Sequence, residues 1–384
     1  MARWDLFCRV VDNFGDVGVC WRLARTLIRE HDASVRLWID DRKSLHALAP
    51  AVDPGRSLQT VESIEIRHWP ESSAFPDVVP ADVVVEAFGC GLPEPFIEAM
   101  AARSPQPVWI VLEYLSAEPW VAEFHGRPSP HPRYPMTRMF VFPGFDDSTG
   151  GLLRERDLLA RRDAFGTPDR DRFWHELGFE PPSGEASTIL MFAYASAPIL
   201  QLLHEIERSA QSTVVAVPQG PLDSMIRESF GLAQSAIGHQ RGRLELRFIP
   251  FVEQSRFDGL LWAADLNFVR GEDSFVRAQW GAKPLVWQIY PQAENAHSVK
   301  LEAFLDRYLA GATPDLDRVV REFWHAWNGL HWGNRVPTIA AAWPAFVAAQ
   351  SALSAHAKSW SAHLAEMDTL ANRLAKIARE RLKF

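Results

Sequence analysis

Strand-like runs and helical patterns alternate along this chain in two separate series. In the first, apolar strand-like runs fall at 4–11, 35–39, 64–68, 82–88 and 107–112, with helical patterns at 17–30, 44–48 and 95–103. In the second, strands are expected at 188–194, 213–218, 244–249, 266–269 and 284–288, with helices at 198–210, 255–264 and 274–281. Strand–helix–strand repetition requires a mainly parallel, doubly wound sheet, because parallel neighbours need a crossover helix. Between the two series, "GFEPPSGEAS" at 178–187 gathers the turn formers of a linker. The stretch 115–151 reads as irregular with one strand at 139–142, and 161–177 as a charged helix. The expected architecture is therefore α/β, with an N-terminal Rossmann-like lobe at 1–180 and a C-terminal one at 181–350. A helical pattern at 351–382 closes the chain, and the segment 351–384 is expected to pack back on the first lobe.

Composition removes several function classes. A formal net charge of −8 argues against broad nucleic-acid binding, which needs a basic face. No secretory leader pattern and no apolar run of ~20 residues is visible, so a cytoplasmic protein with no membrane partner is expected. The three cysteines, Cys8, Cys20 and Cys90, form no C-x-x-C pair and read as reduced, buried thiols.

Two turns carry candidate chemistry. The first strand runs into its helix through "VVDNFGDVG" at 10–18, where a phosphate loop would hold glycines and a lysine. Instead it holds two acids, Asp12 and Asp16. Helix capping is the plain alternative for both. The second turn is "RGEDS" at 270–274, followed by a helix, then Gly281-x-x-Pro284, a strand, and Gln292-x-x-Asn295-Ala296. Gly271 permits a tight turn. Asp273 or Ser274 can cap the helix, whose free N–H groups and positive dipole end suit a diphosphate. Arg270 adds a fixed cation. Glu272 would repel an anion and suits a sugar or base hydroxyl. A dehydrogenase reading is weak, since G-x-G-x-x-G is missing from the first turn. The adjacent acids Asp40-Asp41 and Asp146-Asp147 lack the Asp-x-Asp spacing of a metal-dependent transferase and read as turn acids.

Together, "FCRVVDNFGDVGVCWRLAR" and "RGEDSFVRAQWGAKPLVWQIYPQ" resemble the bacterial protein-arginine rhamnosyltransferases that modify translation elongation factor P. The likeness extends over essentially the whole chain. It implies a GT-B fold, two facing Rossmann-like lobes with a cleft between them and a C-terminal helix. It also implies dTDP-β-L-rhamnose as donor, inversion to α-rhamnosyl-arginine without a metal ion or other cofactor, and elongation factor P as acceptor, activated for rescue of ribosomes stalled at polyproline. Asp12, Asp16 and Glu272 then match the family's essential acids. Phe192, Tyr194, Phe251, Gln254, Arg270, Gly271, Asp273 and Ser274 fall where the family holds the nucleotide sugar, with Asn13, Phe14 and Gly15 added from the first turn.

The chemistry is consistent with that set. A guanidinium with pKa above ~12 is almost never neutral at physiological pH, so it must be held in a fixed plane and relieved of a proton as the bond forms. Carboxylates do both. Asp16 is taken as the base and Asp12 as the orienting acid, though the residues alone leave that order open. Phe192, Tyr194 and Phe251 could stack on thymine or simply pack at strand ends. Two alternatives stay open on the residues alone: a GT-B transferase with another acceptor, and a non-catalytic nucleotide-sugar-binding module.

Overall fold

A computed structural model describes residues 1–11, 14–70, 75 and 78–382, with the backbone alone of Ala293. Asp12 and Asn13 lie outside the described residues. Met1–Arg156 with Ala365–Phe384 form one compact unit, and Asp157–Leu364 a second. The passage between units thus falls upstream of the turn-rich stretch 178–187, which lies inside the second unit. The preceding helix Thr167–Glu176 anchors there, with Phe173 buried and its ring facing Gly259.

The first unit holds β1 (Arg3–Cys8), β2 (Ser34–Ile39), β3 (Leu58–Val61), β4 (Ile64–His68), β5 (Val83–Ala87), β6 (Val108–Leu112), β7 (Pro128–Pro130) and β8 (Thr137–Val141). Their order is β3-β4-β2-β1-β5-β6-β8-β7. The six inner strands are parallel; only the edge strands β3 and β7 run antiparallel. Side chains alternate across the sheet. Trp4, Leu6 and Cys8 of β1 join a core with the helix Gly15–His31 and with Leu370 and Leu374 of the last helix. Phe7 points the other way, into an aromatic core with Trp38, Phe96 and Trp109. Burial on both faces is what a parallel sheet demands. Asp5 sits on that second face, fully buried. Its carboxylate is satisfied by the Arg36 fork, by Trp38 Nε1 at 3.0 Å and by the Ala81 N–H at 2.8 Å.

The second unit holds β9 (Ser187–Met191), β10 (Thr213–Pro218), β11 (Gly238–Arg241), β12 (Leu244–Ile249), β13 (Leu266–Arg270) and β14 (Leu285–Gln288). Their order is β11-β12-β10-β9-β13-β14, parallel except for β11. Stripped of edge strands, both sheets follow one doubly wound plan: the first strand lies at the centre, and the chain reverses direction beside it. The switch points are β1/β5 and β9/β13.

Helices depart from the sequence reading in three places. The charged helix at 161–177 is two, Leu158–Ala164 and Thr167–Glu176, interrupted at Phe165–Gly166. The closing pattern at 351–382 is also two, Gln350–Ala365 and Leu370–Leu382. The break between them is where the chain returns to the first unit. Between 297 and 348 lie three further helices, His297–Tyr308, Pro314–Asn328 and Ile339–Ala348. No helix among the described residues is long and apolar enough to cross a membrane.

Candidate active site

In a doubly wound sheet, ligands meet the loops at the carboxyl ends of the strands flanking the switch point. In the first unit these are the loops after β1 and β5, with the loop after β6 beside them. Phe14 precedes the helix Gly15–His31 as its N-cap, in helical geometry and with no side-chain cap. Asp16 lies in the first turn and is only 2% exposed. Its Oδ2 accepts the Val11 N–H at 2.8 Å, and its Oδ1 accepts the Tyr114 hydroxyl at 3.2 Å. The carboxylate therefore joins Val11 to the loop after β6. Tyr114 is stacked on Phe88, with centroids 4.6 Å apart. Phe88 takes a left-handed φ of 56°, an uncommon state for a bulky side chain that marks a constrained loop. Gly89 and Gly91 follow it in left-handed geometry, and the Gly91 N–H donates to Glu86 Oε1 at 3.0 Å.

The cysteines near this turn are unbridged. Cys8 and Cys20 are buried and Cys90 half-buried, all free thiols. The Cys8 thiol is pushed well up, first by its hydrogen bond with Cys20, then by burial and by the charge of Asp16. Burial raises Cys90 likewise.

In the second unit the loops after β9, β13 and β14 converge. The Phe192 N–H donates to Phe268 O at 3.0 Å, which fixes where the chain leaves β9. Arg270 ends β13, with its guanidinium 4.8 Å from the Phe192 ring centroid and 4.6 Å from that of Tyr194. Two aromatic rings thus hold the cation in place. Gly271 turns the chain with φ 59°, and its carbonyl accepts the Trp287 indole N–H at 2.8 Å. Gln288, buried at the end of β14, accepts the Tyr194 N–H at 2.6 Å and donates to Ser196 Oγ at 3.2 Å. The loop after β9 is therefore tied to β14.

The turn 270–274 differs from its sequence reading in detail. Glu272, not Asp273 or Ser274, is the N-cap of the helix Asp273–Trp280, and it makes no side-chain cap. Ser274 reaches back instead: its Oγ donates to Arg270 O at 2.5 Å and accepts the Arg270 N–H at 3.2 Å. Asp273 Oδ2 accepts from Gln254 Nε2 and from Arg277 Nε, each at 3.1 Å. Arg277 continues to Asp258 at 2.8 Å. Phe192 and Tyr194 carry the Arg270 guanidinium rather than standing open as a stacking pair. Phe251, 37% exposed, follows the end of β12. The structure thus gathers Phe192, Tyr194, Gln254, Arg270, Gly271, Glu272, Asp273 and Ser274 around the ends of β9, β12 and β13.

The paired acids elsewhere have local duties. Asp40 accepts the Val10 and Asp41 N–H groups, and Asp41 caps the helix Arg42–Leu48 through Lys43 and Ser44. Asp146 accepts the Ser148 N–H, and Asp147 pairs with Arg373. Tyr114, Gln288, Arg277 and Asp258 were not singled out from the sequence. Only Arg277 had a signal there, four residues after Asp273 on one helix face.

Two Rossmann-like units, each with candidate residues beside its switch point, are the GT-B fold. A solved α-glucosyltransferase bound to UDP and DNA shares this fold at 9% identity, with TM-score 0.51 over the full length of both chains. Residues 4–379 match the sequence model described as Elongation-Factor P (EF-P) rhamnosyltransferase EarP, and the chain belongs to that family. It is 44% identical to a protein-arginine rhamnosyltransferase of Pseudomonas putida KT2440, over 99% of this chain and all of the relative. A solved structure described as the basis for EarP-mediated arginine glycosylation of EF-P is 32% identical, with TM-score 0.68 over 99% of each chain.

Proposed function

We propose that this enzyme transfers L-rhamnose from dTDP-β-L-rhamnose to an arginine side chain of elongation factor P, with inversion and without a metal ion. The observation that carries the donor half is the anion-ready end of β13: Arg270 on its aromatic seat, a glycine turn, and the start of the helix Asp273–Trp280. The positive dipole end at that helix start suits a diphosphate, and Arg270 supplies a full charge. The acceptor half rests on the carboxylate turn of the first unit. Asp16, oriented by Val11 and Tyr114, pairs with the guanidinium, with Asp12 as its partner.

In the step itself, a guanidinium nitrogen attacks C1 of the sugar on the face opposite the leaving group. The C1–O bond to dTDP breaks and takes its electron pair to the diphosphate. The nitrogen gives up one proton to a first-unit carboxylate. Inversion follows from a single displacement. The diphosphate charge that develops is met by Arg270 and the helix start, the kind of fixed electrostatic stabilisation that needs no reorganisation. Glu272, at the mouth of that helix, is assigned to the rhamnose hydroxyls. Phe251 is assigned to the thymine.

The test is direct. Enzyme, dTDP-rhamnose and elongation factor P are incubated and the product is read by mass spectrometry. One deoxyhexose on one arginine is expected, with α linkage by NMR and full activity in EDTA. Asp12→Ala and Asp16→Ala abolish transfer in folded protein that still binds dTDP. Modification of a different acceptor, or activity that disappears in EDTA and returns with Mn²⁺, contradicts this reading.

A further inference from the structure

We propose that Arg277, backed by Asp258, is a positioning residue that sets the donor site through Asp273 and Gln254. Arg277 is 3% exposed on the second turn of the helix Asp273–Trp280. Its Nε donates to Asp273 Oδ2 at 3.1 Å, and its NH1 donates to Asp258 Oδ1 at 2.8 Å. Asp258, 4% exposed, lies on the helix Gln254–Ala263. The same Asp273 oxygen accepts Gln254 Nε2, from the first residue of that helix. The four side chains form one chain, Asp258–Arg277–Asp273–Gln254, that joins the starts of two helices.

Those starts follow the carboxyl ends of β12 and β13, where the donor is assigned, so their relative placement sets the spacing of its contacts. A buried and a half-buried carboxylate flanking one guanidinium are poor evidence for stability alone, because apolar side chains of equal volume often serve as well. What such a chain does well is fix geometry, since a planar fork satisfies both acids only in one arrangement. Asp273 and Gln254 are engaged inward, and Arg277 acts through them without touching the donor.

This inference rests on the donor reading above. Arg277→Lys keeps the charge but loses the fork. The expected result is a dTDP Kd and a donor KM that both rise about tenfold, as small misplacements at a binding site cost one to two orders of magnitude. Turnover number and acceptor KM stay within about twofold, and the far-UV spectrum is unchanged. A merely structural role would lower the active fraction and leave both KM values alone. Asp258→Asn, a milder change, is expected to raise the donor KM by about threefold, and it carries the test if Arg277→Lys does not fold. Folded variants that bind dTDP like the wild type overturn the inference while leaving the donor reading standing. A wild-type protein that does not bind dTDP overturns the donor reading itself.

Discussion

At the end of β1 the chain places a buried carboxylate, held by a backbone N–H and a tyrosine hydroxyl. At the end of β13, across the switch point from the central strand of the second sheet, it places a guanidinium on two aromatic rings beside the start of a helix. The strand plan is the same in both units. Topology therefore supplies the address, and on the proposed reading the residues in the turn decide the sign of the charge that binds there. A helix start is intrinsically attractive to anions. Each helix carries an acid in its first turn, Asp16 in one unit and Asp273 in the other; Asp273 is paired with Arg277 of its own helix, and on the proposed reading Asp16 is the acid that meets a cation.

That comparison is most exposed at Asp16. Asp16→Ala should abolish transfer, a loss of at least about 10³-fold as expected for general acid–base catalysis, while dTDP affinity holds. Mass spectrometry and calorimetry on one preparation check both halves. Loss of nucleotide binding would mean that the first turn serves the donor after all. Arg270→Gln should do the converse. A charge-assisted contact contributes about 1.5–3 kcal/mol, so dTDP binding should weaken by about 10- to 100-fold. Acceptor binding, followed with unmodified elongation factor P, should not change; if it does, the division of charge between units fails.

Tyr114→Phe is the finer probe. It deletes one hydrogen bond of roughly 1 kcal/mol to Asp16 and keeps the stack on Phe88, so kcat should fall about fivefold with the donor KM unchanged. An unchanged kcat would leave this hydrogen bond without a part in the reaction.

The inner strands were legible because each reads as an apolar run bounded by turns, the consequence of burial on both faces. The edge strands β3, β7 and β11 were not: they are three or four residues long, and β7 is Pro-Ser-Pro. Their pairing is decided by a neighbour, not by their own pattern. The helix Pro314–Asn328 does carry local signals, a Thr313 cap, a proline in its first turn and a left-handed Gly329. The break at 366–369 has no glycine or proline. It exists because Leu370 and Leu374 are buried in the first unit's core, a tertiary demand invisible in local sequence. The turns themselves were legible as motifs. Their wiring was not, since Tyr114 meets Asp16 across 98 residues and Gln288 meets Tyr194 across 94.

The smallest expected effect separates the units by pH. His31 and His125 in the first unit and His297 in the second are all depressed below the ordinary histidine value, in each case chiefly by burial. His125 Nδ1 accepts the Phe142 N–H and His297 Nδ1 accepts the Gln292 N–H, roles open only to a neutral ring. In the unfolded chain each imidazole takes a proton below about pH 6.5. Over the window from there down to the folded value, the unfolded state binds more protons, so stability rises with pH and is lost as pH falls. Melting temperature should therefore drop between pH 7 and pH 5, beyond what carboxylate protonation alone imposes at still lower pH. His125→Gln and His297→Gln should each flatten that slope. With two such histidines against one, protection in hydrogen exchange should be lost sooner in the first unit as the pH is lowered. Equal loss in both units would show that the slope arises from groups they share in kind, and not from these imidazoles.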